Sequence, residues 1–235
     1  TENSVRAGAL PPWISEVTFP VEPDPAQPVI VTCRLEDAST VGLTYVIDFG
    51  PEVPVAMEDD GLHEDGAAGD GVFGVILPGQ AAAALIRFRL ATTGPTGSMQ
   101  HPRDDDTVNY VGTIVPDPTL PSEVPVFHWY MAPADYQAAL AHYLTDDVEP
   151  AVFYYDGKLY DNMQVRVRGQ TSRSWPKKCW KFYFPQGHEF VAPELMPRPV
   201  DQFNLQSGYS DKSYCREILA YESFRAAGEI GRASC

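Results

Sequence analysis

The chain has 235 residues, with 17 Lys+Arg against 32 Asp+Glu and a formal net charge of −15. That field repels DNA, RNA and anionic membrane, so nucleic-acid binding is excluded except as a local patch. The charge is uneven. Residues 1–115 hold 5 basic and 17 acidic residues, whereas residues 116–235 hold 12 and 15, an asymmetry that points to two domains.

No run approaches the roughly 18 apolar residues of a membrane span. The opening "TENSVRAGALPPW" is polar and Pro-rich rather than a signal segment, so the chain reads as a mature or trimmed product. Cys33, Cys179, Cys215 and Cys235 are scattered without C-x-x-C or zinc spacing. Each reads as a structural thiol, which leaves the compartment undetermined.

The first half reads as strands: "PVIVTCRL" (28–35), "LTYVIDF" (43–49), "GVFGVILP" (71–78), "ALIRFRLAT" (84–92) and "TVNYVGTIV" (107–115). They are short, rich in β-branched and aromatic residues, and separated by Gly, Pro and Asp clusters. That is the pattern of an all-β sandwich of the immunoglobulin/fibronectin kind, expected over residues 1–117.

Within it, "EDDGLHEDGAAGDG" (58–71) sets Asp60, Asp65 and Asp70 before glycines at five-residue spacing. Carboxylates on Gly turns suit Ca²⁺, but the spacing is not that of an EF-hand, and a tight metal-free hairpin is the expected outcome. The stretch resembles an Asp-Gly hairpin of bacterial extracellular modules. Asp104, Asp105 and Asp106 read as a solvated loop. "DFG" at Asp48–Gly50 ends a strand and reads as coincidence.

"PDPTLPSEVP" (116–125) is a linker, since its four prolines prevent regular pairing. An α+β lobe is expected over residues 122–235: a strand "VFHWYM", a short helix in "APADYQAALAHYLT", and a hairpin turning at Asp156-Gly157. A strand "KCWKFYF" follows. The last element is a helix from about Lys212 to Ala227, with Tyr214, Ile218, Tyr221 and Phe224/Arg225 on one side. Ser210 or Asp211 can cap it, and Gly228 can end it.

The stretch "QVRVRGQTSRSWPKKCWKFYFP" (164–185) holds Arg166, Arg168, Arg173, Lys177, Lys178 and Lys181 and no acid. Alternation turns Val165 and Val167 to a core and Arg166 and Arg168 outward. Trp180, Phe182 and Phe184 share one face, with Lys181 on the other. Such a segment can meet a phosphate through cations and loop amides, or can simply be a solvated face paired with nearby acids.

Three linked motifs, "VPVFHWYMAPADYQAAL", "YYDGKLYDNMQVRVRGQTSRSWPKKCWKFYF" and "FNLQSGYSDKSYCREILAYESFRAAG", resemble the spore coat protein H (CotH) kinase family over about residues 122–235. The resemblance implies the N-terminal part of an atypical protein kinase, secreted or in the cell envelope. Such an enzyme uses ATP with Mg²⁺ or Mn²⁺ on a protein substrate. It also implies that Arg168, Gly169, Gln170, Thr171, Ser172 and Arg173 cover the phosphates. One of Lys177, Lys178 and Lys181 would contact them, strand parity favouring Lys181, and Glu217 would orient that lysine.

Asp211 reads as a helix cap rather than a catalyst. The chain runs out at "GRASC" after this helix, so the catalytic carboxylates are expected beyond it and a nucleotide half-site at most is expected within it. Whether these residues constitute an enzyme stays open. The alternative is a cell-surface binding or adhesion protein without catalysis. A single-strand nucleic-acid binder is the weakest reading, because the aromatics of "CWKFYF" face a core. The five histidines are dispersed with no Ser/His/Asp ordering, so a hydrolase has no support.

Overall fold

A computed structural model describes residues 10–120, 122, 124–213 and 215–227. Contacts divide the chain into two compact units, residues 1–130 with 153–161, and residues 131–152 with 162–235. The sequence reading instead separates 1–117 from 122–235.

The first unit is built from two antiparallel sheets. One has the order β1 (Trp13–Thr18), β2 (Val29–Glu36), β5 (Val72–Leu77). The other runs β4 (Val53–Met57), β3 (Val41–Ile47), β6 (Leu85–Gly94), β7 (Gly97–His101), with β8 (Val111–Ile114) also pairing β6. β2 alternates buried and half-buried residues along its length, and Val29, Val31 and Cys33 point into a core shared with Leu43, Phe88 and Leu90 from the other sheet. Two sheets closing one apolar core make the β-sandwich that the alternation predicts. Burial pushes the Cys33 thiol up to about 12, which makes it an inert core residue.

Four strands are additional to the sequence reading: β1, β4, β7 and β13 (Gln202–Leu205). The expected strand 107–115 shortens to β8, because Asp161 takes the amides of Asn109 and Tyr110. The "DFG" triplet is a turn: Asp48 accepts from Leu85 N at 2.9 Å, and Phe49 lies under the Arg87 guanidinium at 5.1 Å. Arg87 also donates to Asp161 at 3.2 Å, with the Asp161 side chain only 3% exposed.

A third sheet has the order β13, β12 (Cys179–Tyr183), β11 (Lys158–Arg168), β10 (Glu149–Tyr155), β9 (His128–Tyr130). The β10–β11 hairpin turns at Asp156-Gly157, both at positive φ (47° and 77°), as a two-residue turn requires. Val165, Val167 and Phe182 are buried and Phe182 stacks on Phe203 at 5.2 Å, so the expected inward face of the basic segment is its core face.

Helix α1 spans Pro133–Ala141 and α2 spans Arg216–Ala226, both shorter than the sequence reading. The apolar side of α2 is not buried: Ile218, Leu219, Tyr221 and Phe224 are 42–63% exposed. Tyr214, the Arg225 side chain, Gly228 and Cys235 lie outside the described residues.

Candidate functional site

The acidic hairpin is a closed system of carboxylates and amides. Gly61, Gly66, Gly69 and Gly71 all take positive φ, so the loop curls and turns its N–H groups inward. Asp65, 2% exposed, accepts from Asp60 N and Gly61 N on Oδ2 (2.9 and 3.0 Å) and from His63 N on Oδ1 (2.9 Å). Asp59 takes the amides of Gly69 and Gly71, at 2.7 and 3.0 Å. Asp70 takes those of Ala67 and Val72, at 3.1 and 2.9 Å.

Of the possible calcium ligands Asp60, Asp65 and Asp70, the fold brings Asp60 and Asp65 together with His63 and leaves Asp70 outside that group. Both Asp70 oxygens are turned to its own backbone. The donors that come within 4.8 Å of one another belong to Asp60, His63 and Asp65. His63 was passed over in the sequence because a lone His between Asp-Gly pairs gives no spacing signal.

Each shift in this hairpin has a local cause. The His63 ring, 2.9 Å from Asp60 Oδ1, holds the Asp60 carboxyl below the usual range, and Asp60 in turn raises His63. Burial pushes Asp65 up, but the amides of Gly61, His63 and Asp60 outweigh it and hold it low. The amides of Val72 and Ala67 lower Asp70.

The basic segment is organised differently. Arg166 on β11 faces Lys181 on β12, which faces Asn204 on β13, and Arg168 faces Cys179. Cross-strand partners share a face, so Arg166, Arg168, Lys181 and Asn204 line one surface of the sheet. After Arg168 the chain turns at Gly169 (φ 115°), where a Cβ would fall 2.0 Å from Ser172 Oγ. Only glycine lets that hydroxyl fold over the backbone. A 3₁₀ turn, Thr171–Ser174, follows.

Two of the arginines are occupied. Arg173 donates to Gly169 O (2.6 Å), Thr145 O (2.7 Å) and Asp146 Oδ1 (2.6 Å). Arg166 donates to Tyr183 Oη and to the same Asp146 oxygen, both at 2.8 Å. The Arg173 hydrogen bond, then the Arg166 charge, hold Asp146 well below the usual carboxylate range, with Lys181 adding to the effect. No motif marked Asp146, an exposed acid in the turn after α1. Lys178 donates to Arg173 O at 2.7 Å and lies 4.7 Å from the Tyr143 ring.

Arg168 and Lys181 are left over. Both are half-buried, and neither makes an ion pair among the described residues. The Lys181 ammonium sits 4.8 Å over the Tyr183 ring.

Beside this face lies a cavity of about 890 Å³ whose wall includes Ser172, Lys177, Cys179, Asn204 and Glu217. Trp175 and Tyr209, 5.7 Å apart, supply aromatic wall, and Asn204 Oδ1 is a buried acceptor with no hydrogen-bond partner among the described residues. Of the expected nucleotide residues, the cavity gathers Ser172 and Glu217 and adds Lys177. Lys181 does not line it, so the expected Lys181–Glu217 pairing is not part of this arrangement. Asp211 accepts from Ser213 N and Oγ and from Arg216 N, the last at 2.8 Å, and so serves the helix start as a cap.

The sandwich is an Ig-like module: residues 32–88 match the family of the conditioned medium factor 2nd Ig-like domain. Residues 165–232 match the CotH kinase protein family, so this chain carries a CotH segment behind an Ig-like domain. Among curated proteins none matches. The crystal structure of the Br derivative of BhCBM56 aligns at TM-score 0.28 and 8% identity, covering 36% of this chain and 83% of that one.

Proposed function

We propose that this chain supplies the phosphate-binding part of a CotH-type atypical protein kinase, acting outside the cell or in its envelope. ATP with Mg²⁺ or Mn²⁺ is its cofactor, and hydroxyls of a protein substrate accept the phosphoryl group. The observation that carries the reading is the pair Arg168 and Lys181. They are two cations on one sheet face, neither of them in an ion pair among the described residues, in a chain of net charge −15.

Chemically, half-buried guanidinium and ammonium groups next to a Gly-Ser turn suit phosphate oxygens, since partial burial strengthens a charge-assisted bond. Gly169 lets the backbone approach closely, and Ser172 and Lys177 extend the same polar wall into the cavity. Trp175 and Tyr209 offer an apolar surface to a base. A metal fits less well. Glu217 lines the cavity, but Asp211 is spent on capping, and among the described residues of this unit no three ligating side chains converge. These residues therefore account for holding phosphate, and the metal supplies charge neutralisation on the nucleotide when it is bound.

Calorimetric titration of the chain with ATP·Mg²⁺ tests the proposal. Weak, salt-sensitive binding that falls at least tenfold in Lys181→Ala is expected. Absence of binding, or binding indifferent to Lys181→Ala, overturns it.

A further inference from the structure

We propose that Asp146 is a positioning residue: it clamps the Gly169–Arg173 turn so that the turn and Arg168 keep a phosphate-ready shape. This deepens the phosphate reading above and rests on it. Asp146 Oδ1 receives Arg173 at 2.6 Å and Arg166 at 2.8 Å, and both arginine side chains are only 14% exposed. Arg173 also donates to the carbonyls of Gly169, at the start of the turn, and Thr145, in the turn after α1, and so ties the two segments together. Lys178 then donates to Arg173 O, which fastens the far side of the turn.

The division of labour follows from donor accounting. A guanidinium offers five N–H donors; Arg173 commits three of them inside the fold, one from each nitrogen, and its side chain is only 14% exposed. It is poorly placed to greet an incoming phosphate. Its use is to hold residue 169, where the left-handed backbone at φ 115° is otherwise easily lost.

Asp146 supplies the charge that makes this arrangement tolerable. Without it Arg166 and Lys181 would face each other across β11 and β12 with less compensation, and like charges at cross-strand positions drive side chains apart. One exposed carboxylate thus fixes two arginines and leaves Arg168 and Lys181 for the ligand.

The test compares the full chain with Asp146→Asn, Asp146→Glu and Lys181→Ala, reading amide exchange at residues 169–175 and affinity for inorganic pyrophosphate. In Asp146→Asn, exchange in the turn accelerates roughly fivefold or more and pyrophosphate binding weakens by a similar factor. Exchange in β11 stays unchanged, and Asp146→Glu, which keeps the charge, restores most of both. Lys181→Ala weakens binding but leaves the turn protected. A double variant with Arg173→Lys loses little more than Asp146→Asn alone, because the two act as one unit.

Unchanged exchange in Asp146→Asn overturns the proposal, and so does acceleration spread over the whole second unit. If the wild-type chain holds no pyrophosphate yet shows the Asp146-dependent protection, the kinase reading fails and the clamp stands.

Discussion

The Asp-Gly hairpin of residues 58–71 and the basic segment of residues 164–185 are the two most charged stretches of the chain, and they settle their charge differently. In the hairpin, Asp59, Asp60, Asp65 and Asp70 all find amides or a histidine within the same loop. Gly residues make that possible, because positive φ turns successive N–H groups toward one point. The basic segment has no acid of its own and borrows one, Asp146, which answers two of its cations. Arg168 and Lys181 remain without an ion pair among the described residues. A charged stretch that closes on itself is architecture. One that leaves charge standing at half-buried positions is where the proposed phosphate site lies.

The comparison can be broken most severely at Asp161, a buried acid of the first unit that is also answered internally. It accepts from Arg87 and from the amides of Asn109 and Tyr110. Asp161→Ala would leave the Arg87 guanidinium buried without its carboxylate, at a cost of about 3–5 kcal/mol in urea unfolding. A loss under about 1 kcal/mol would mean that the ion pair is incidental. Next comes Asp65→Ala, which strands three inward-facing amides and should lower the melting midpoint of the first unit by several degrees. Millimolar Ca²⁺ should leave the wild-type midpoint where it is. A rise with Ca²⁺ that disappears in Asp65→Ala would show that the carboxylates serve a metal after all.

A smaller effect concerns pH. Asp60, Asp65 and Asp70 are held low, so their contribution is present above the ordinary value of 3.8 and lost as pH falls through the depressed values. His63 is raised, so its contribution is complete below 6.5 and lost as pH rises through the raised value. The hairpin is therefore firmest at mildly acidic pH. Proton NMR should find His63 titrating above 6.5, and Asp60→Asn should bring it back toward that value. An unshifted His63 would contradict the pairing.

Much of this was legible in advance. Alternation located β2, β6, β11 and β12, because buried and exposed positions must alternate on a pleated strand. Asp156-Gly157 announced its turn through the backbone it requires. β1, β4, β7 and β13 escaped, being short strands whose Pro, Ser or Gln residues blur the period. The α2 periodicity predicts an apolar side, but a sequence period does not say what covers it, and Ile218, Tyr221 and Phe224 are exposed.

The candidate site was half legible. Cations and a Gly turn could be read from "VRVRGQTSR", whereas the allotment of donors could not. Which arginine meets Asp146 depends on a turn some 20 residues upstream in sequence and on strand register. His63 escaped for the same reason, since its partner at 2.9 Å is set by loop curvature rather than by a motif.

The central claim is that Arg168 and Lys181 are available to phosphate while Arg166 and Arg173 are not. Side-chain ¹⁵N resonances recorded during a titration with ATP·Mg²⁺ test it most directly. The account predicts that Arg168 Nε and Lys181 Nζ shift together and saturate, while Arg166 and Arg173 Nε stay in place. Movement of Arg166 and Arg173 with Arg168 and Lys181 unmoved would contradict it.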